Sequence, residues 1–213
     1  MNDVLTWSIG EAAAPTLRAR GLVAGHGEHR TEPLDLDLGA DQIVALVGPS
    51  GVGKTTVLRT LADLVSPIDG EVVWAPSPPT LCFQDARLLP WRSAIDNVLF
   101  GLSRRPGDPD RARARALLAE VGLADKSERL PIELSGGEQR RVSIVRSAMA
   151  ATSCLLVDEP FAHLDHESAD SVIAILTSLV RSGTPVGVAV HSETDAERLA
   201  ARSIPVRADP TIR

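Results

Sequence analysis

The sequence predicts an α/β fold built on a mostly parallel, doubly wound sheet. Three observations carry that prediction. The short apolar runs 43–47, 154–157 and 186–190 have the length and β-branched content of strands buried on both faces. Between them lie longer stretches with apolar residues every three or four positions, the spacing of amphipathic helices. The runs end at Gly48, Asp158 and His191, residues suited to the carboxyl edge where open α/β sheets bind ligands. Strands alternating with helices make the sheet parallel.

In order along the chain, residues 1–20 are irregular apart from a strand near 17–20. Leu34-Asp35-Leu36-Asp37-Leu38 alternates strictly and reads as a half-exposed strand. The strand 43–47 leads through a glycine-rich loop into a helix from Lys54, with Val57, Leu58, Leu61, Leu64 and Val65 on one face. That helix should stop at Ser66-Pro67, before a turn at Asp69-Gly70 and a strand at 71–74. Prolines make 76–79 a loop, and Leu81-Cys82-Phe83-Gln84 is a strand ending in an amide. Ser93 with Asp96 caps the next helix, striped by Ile95, Val98 and Leu99. After Arg104-Arg105-Pro106-Gly107, Asp108 is the expected cap of a helix reaching Val121-Gly122, with Pro109 in its first turn. Its arginines 111, 113 and 115 admit two readings, a nucleic-acid contact or a solvated face beside acidic neighbours. A further helix opens at Leu134-Ser135-Gly136-Gly137-Glu138-Gln139. Then come the strand at 154–158, a helix over 167–181, the strand at 186–190, a helix near 194–202 and a last strand at 204–207.

The bulk numbers set limits. A chain of 213 residues holds one sizeable core and not several independent domains. A net charge of −6 argues against nucleic acid as a general partner. No apolar run approaches the roughly 20 residues of a membrane helix. Met1-Asn2-Asp3-Val4 lacks the basic start and apolar core of a secretion signal, so a cytosolic protein is expected. Cys82 and Cys154 lie in apolar runs and read as buried free thiols.

The chemistry centres on Gly48-Pro49-Ser50-Gly51-Val52-Gly53-Lys54-Thr55-Thr56, a G-x-x-x-x-G-K-T loop between strand and helix. Glycines 48, 51 and 53 permit backbone angles that turn successive N–H groups inward, and a helix N-terminus lies behind them. Such a cradle suits a polyphosphate. Lys54 adds charge at the outer phosphates, and the Thr55 hydroxyl suits Mg²⁺. Asp158 and Glu159 leave the sheet at the same edge, one able to meet the Mg²⁺ shell and the other an attacking water. His191 can contact a γ-phosphate there, and Gln84 can ligate Mg²⁺ or a water. Ser135-Gly136-Gly137 forms a second anion-binding helix start, far along the chain.

These residues, with Leu164-Asp165, come in the order found in ATP-binding cassette (ABC) ATPases. From about residue 17 onward the chain resembles that family, and Leu134-Ser135-Gly136-Gly137-Glu138-Gln139 is the most specific item. The resemblance implies a P-loop NTPase (RecA-like) core, a small antiparallel β-portion and a helical lobe. The core and β-portion would span about 1–85 and 150–213, and the lobe about 86–149. It also implies a head-to-tail dimer, with ATP between one subunit's P-loop and residues 135–139 of the other. In that scheme Lys54 binds the β/γ-phosphates; Thr55, Gln84 and Asp158 serve Mg²⁺; Glu159 polarises the water; His191 holds the γ-phosphate end. Asp165 sits across the seam.

Phe83-Gln84-Asp85-Ala86-Arg87-Leu88-Leu89-Pro90-Trp91 is similar to ATPases of importers for nitrate, sulfonates, taurine and thiamine-like compounds. That likeness implies separate membrane permease subunits docking near Gln84 to Trp91, a solute-binding protein, and a location on the inner face of the membrane. Leu88 to Trp91 either contact the permease or pack internally. The family's adenine-stacking aromatic is replaced, the nearest candidate being His26. Asp41-Gln42 stands for a Gly-Glu turn, and His163 and Ser192 are unusual beside Asp165 and His191. The alternatives are an exporter or lipoprotein-extraction ATPase, or a non-transport ABC protein.

Overall fold

Burial along 43–47 sets the layering of the molecule. Ile43, Ala45 and Val47 join one hydrophobic cluster, while Val44 and Leu46 join the other. A strand turns successive side chains to opposite faces, so this one is covered on both. The computed structural model describes residues 16–26, 29–102, 104–151, 153–162 and 164–210. The expectations for residues 1–15 and for His163 lie outside them.

β1 (Leu17–Val23), the short β2 (Gly25–His26) and β3 (His29–Arg30), and β4 (Leu34–Leu38) precede β5 (Ile43–Val47) and α1 (Lys54–Leu61). Next come β6 (Asp69–Trp74), β7 (Thr80–Cys82), α2 (Ala94–Phe100), α3 (Asp108–Glu120) and α4 (Gly136–Ala150). Then follow β8 (Leu155–Asp158), α5 (His166–Arg181), β9 (Val186–Val190), α6 (Glu193–Arg198) and β10 (Arg202–Pro205). Five strands form a parallel sheet in the order β10-β5-β9-β8-β7. A three-stranded antiparallel sheet, β4-β1-β6, packs over α1, and β2 pairs with β3. Ile95, Leu118 and Val145 of the three central helices share a cluster with Leu155 and Val188 of the parallel sheet. Cys82 and Cys154 are free and buried, and burial pushes the Cys154 thiol up to about 12.

The expected strand near 17–20 extends to Val23, and Asp69-Gly70 lies within β6 instead of forming a separate turn. Two helix ends also differ from expectation. α1 stops at Leu61 because Asp63 adopts a left-handed φ of 59° and the Leu64 N–H returns to the Arg59 carbonyl at 2.9 Å. That six-residue closure turns Leu64 and Val65 out to solvent, off the face assigned to them. α6 ends by the same device. Ala200 has φ 49° and Ala201 N–H bonds the Ala196 carbonyl at 3.0 Å, which frees Arg202 to begin β10. At α3 the cap position is Gly107, one residue before Asp108; the Asp110 carboxylate accepts the Gly107 N–H at 2.8 Å. Arg111 and Arg115 pair with Asp96 and Glu128.

Residues around β10 bind three parts of the chain together. The Val206 N–H donates to the Val47 carbonyl at 2.8 Å, and the Glu32 N–H to the Arg207 carbonyl at 2.9 Å. Ala208 bridges Thr31, beside the β2–β3 hairpin.

Fully buried Asn97 in α2 fixes the loop that follows Gln84. Its Oδ1 accepts the Leu89 N–H at 2.7 Å, and its Nδ2 donates to the carbonyls of Leu89, Arg92 and Ser93. Asn97→Ala leaves these groups without their partner, which should cost about 2 kcal/mol. Urea unfolding should show a lower midpoint at unchanged slope. A loss under about 0.5 kcal/mol, the range of ordinary surface changes, would count against the clamp.

Candidate active site

β5 delivers the chain to the glycine loop, and the loop needs its glycines for two different reasons. Gly51 and Gly53 have φ of 78° and 111°, in the left-handed region. Gly48 is not in that region; a Cβ there would lie 2.8 Å from the Val206 carbonyl oxygen, so close approach excludes a side chain. This corrects the expectation that all three glycines serve unusual angles.

Lys54 is 5% exposed and folds back on the loop, its Nζ donating to the carbonyls of Gly48 (2.6 Å) and Pro49 (2.9 Å). Burial lowers the pKa of its ammonium, against the attraction of Glu159 and Asp158. At the end of β8, Asp158 is 3% exposed. Burial raises its carboxyl pKa, and a hydrogen bond from Thr55 works the other way. Its Oδ1 is buried without a hydrogen-bond partner. An orphaned carboxylate oxygen beside a hydroxyl fits a hard divalent cation, which Mg²⁺ is, and which takes only one or two carboxylates when phosphates and waters complete its shell. Accordingly, no cluster of three or more His, Cys, Asp or Glu suited to a metal occurs among the described residues.

Glu159 follows with φ 49°, a strained setting for a residue with a Cβ, costing on the order of 1–3 kcal/mol. Both its carboxylate oxygens are engaged. Gln84 Nε2 donates to Oε2 at 2.8 Å, and His191 Nε2 lies 2.8 Å from Oε1. In the neutral tautomer that donates from Nε2 to Glu159, Nδ1 faces the Ser50 hydroxyl at 3.4 Å as acceptor. The Gln84 amide is thus directed at Glu159, whereas Thr55 and Asp158 meet each other. Lys54, Thr55, Gln84, Glu159 and His191 line one cavity of about 440 Å³.

Beside it a second cavity, of about 390 Å³, lies between the β2–β3 hairpin and the loop; His26, His29 and Arg30 line it with Val52 and Thr56. His29 and Arg30 escaped the sequence reading because polar residues on a two-residue strand give no periodic signal. Ser135 to Gln139 line neither cavity. The Ser135 hydroxyl accepts the Glu138 N–H at 3.2 Å, the Glu138 carboxylate accepts the Ser135 N–H at 2.8 Å, and Lys126 pairs with Glu138 at 2.5 Å. Gln139 donates to the carbonyls of Pro131 and Leu134. Asp165 caps α5, accepting the Ser168 N–H at 2.8 Å. Arg140, also unforeseen, joins Phe83 to Asp158 and Glu159.

Known proteins resemble this chain in sequence and in fold. The profile of the ABC transporter family matches residues 31–162. An "aliphatic sulfonates import ATP-binding protein" of Rhodococcus jostii is 41% identical over 182 residues, 84% of this chain and 73% of its own length. A protein of that name from Nocardia farcinica is 42% identical over 195 residues, 91% of this chain and 80% of its own. Among solved structures, a dimeric ATP-binding cassette in a post-hydrolysis state with ADP and Pi superposes with a TM-score of 0.76 at 24% identity, covering 90% of this chain and 94% of that one. An inward-facing metal-chelate type transporter gives 0.76 at 24%, covering 92% and 80%. These two carry the fold, and the sequence relatives carry the family. The glycine cradle, the buried Asp158 beside Thr55 and the doubly held Glu159 therefore belong to an ATP-binding subunit of the ABC transporter family, whose activity is the hydrolysis of ATP.

Proposed function

We propose that this chain energises import of a small organic acid of the aliphatic sulfonate kind, through separate permease subunits, as a head-to-tail pair of cassettes. The observation that carries the paired arrangement is the split between the two halves of the chemistry. Lys54, Thr55, Asp158, Glu159 and His191 gather at one sheet edge, while the capped helix start at Ser135 stands outside that cavity. A second subunit's Ser135, Gly136 and Gly137 would complete the site, and Asp165 would lie at the seam.

Within one subunit, free backbone N–H groups of the glycine loop and of the start of α1 would orient the phosphates, and Lys54 exchanges its loop carbonyls for the outer phosphate oxygens. Thr55 and Asp158, with Gln84 in reach of a water, would hold Mg²⁺, which when bound neutralises phosphate charge. Glu159 takes a proton from the attacking water, and His191, released from Glu159, donates Nε2–H to the γ-phosphate. His26 stacks on the base in the hairpin cavity, with less area than a larger aromatic gives.

Import is supported by the names of the sequence relatives. Export and lipoprotein extraction find no such support. The permease would dock at the loop after Gln84, where Trp91 is 73% exposed on a base fixed by Asn97. Leu88, by contrast, packs against the core. No helix among the described residues is long and apolar enough to cross a membrane, so attachment to the inner face would come through that partner. Trp91→Ala should change stability by less than about 0.5 kcal/mol, yet weaken permease association roughly 30-fold, as loss of an aromatic anchor does. Titration of detergent-solubilised permease measures the second effect; equal affinity would remove Trp91 from the interface. The function itself is tested by reconstituting chain, permease and solute-binding protein in vesicles. ATP turnover should rise when sulfonate-loaded binding protein is added, and indifference to it would refute import.

A further inference from the structure

Arg140 lies in the second turn of α4 and is 3% exposed, unusual for a guanidinium. Its Nη1 donates to the Phe83 carbonyl and lies 3.6 Å from Cys82 Sγ; its Nη2 donates to the carbonyls of Asp158 at 2.5 Å and Glu159 at 3.1 Å. Its three oxygen acceptors are thus main-chain atoms at the ends of two neighbouring strands. The β7–β8 ladder stops at Cys82 and Val157. Beyond that point the guanidinium fork spans the opening, a geometry that one planar group with separated donors can satisfy and a single ammonium cannot.

What it spans are the residues just before and at the two side chains that meet each other, Gln84 and Glu159. Glu159 holds a left-handed backbone angle that nothing in its own side chain favours. Its N–H is tied to the Ala189 carbonyl at 3.0 Å, and its carbonyl to Arg140. The other end of this connection is α4, whose first turn is the capped Ser135 segment. A displacement of that helix start reaches Glu159 through one side chain.

We infer that Arg140 is a positioning residue: its guanidinium fixes the backbone that aims Glu159 and Gln84, and it links the helix start at Ser135 to them. The inference rests on the role given to Glu159 above, and its test separates the two. Arg140→Gln, with a shorter, neutral side chain, is compared with the parent by hydrogen–deuterium exchange on the full chain without nucleotide. Segments 83–85 and 158–160 should exchange about tenfold faster, with the α1 segment within twofold of the parent. With Mg²⁺ and ATP, kcat should fall about 30-fold while KM for ATP stays within twofold. Arg140→Lys, which keeps the charge but loses the fork, should fall between, and it supplies the same readouts if the Gln variant does not fold. Unchanged exchange at 158–160 overturns the inference, as does faster exchange spread evenly over the chain or a loss shared by kcat and KM. The role of Glu159 fails by a different sign, full turnover in Glu159→Gln, which leaves the exchange result standing.

Discussion

Glu159→Gln should bind ATP and fail to consume it. The amide keeps the size of the carboxylate but cannot take a proton from water, and loss of a positioned general base costs about 10²- to 10⁴-fold. His191 Nε2–H can still donate to the amide oxygen, so the contact at 2.8 Å is kept in kind. One negative charge facing the phosphates is also removed, which favours a closed pair of cassettes. Steady-state hydrolysis should drop by about 10³. Gel filtration with ATP should show a long-lived dimer that the parent forms only transiently. Turnover within tenfold of the parent, or a variant that stays monomeric with ATP, would contradict the assignment.

Lys54→Ala should act on binding itself. The ammonium already sits against two loop carbonyls at 2.6 and 2.9 Å, at the mouth of the cradle, so it needs little movement to meet a phosphate. A hydrogen bond to a charged group is worth about 1.5–3 kcal/mol, so ATP affinity should fall roughly 10- to 100-fold. Titration with a fluorescent ATP analogue measures this directly. The rise in melting temperature that ATP gives the parent should shrink with it. The fold should survive, because the helix keeps the apolar face of Val57, Leu58 and Leu61. An unchanged affinity would move the phosphates elsewhere.

Strands were the most legible part of the chain. The runs at 34–38, 43–47 and 186–190 coincide with β4, β5 and β9, because burial on one or both faces writes itself into alternation or into an unbroken apolar run. Helix starts were legible where a Ser side chain caps them, at Ser93 and Ser135; the start of α5, capped by Asp165, was read from its apolar periodicity alone. Helix ends were not. Asp63 and Ala200 take left-handed angles that a glycine would have announced, and the closures they make depend on backbone bonds that no side chain signals. The site divides in the same way. Lys54, Thr55 and Asp158 stand at strand ends or in a fixed spacing, whereas Arg140 in a helix reads as a solvated arginine until the fold turns it inward. Gln84 stands at the expected sheet edge, where its amide meets Glu159, a contact that no spacing in the sequence signals.

The stitching around β10 makes the glycine cradle less local than its sequence. Val206 crowds Gly48 and bonds Val47, Arg207 receives Glu32, and Ala208 bridges Thr31 next to the hairpin that lines the second cavity. A shift of residues 206–208 would therefore be felt at Gly48 and beside the hairpin together, although more than 150 positions of chain separate 206–208 from either.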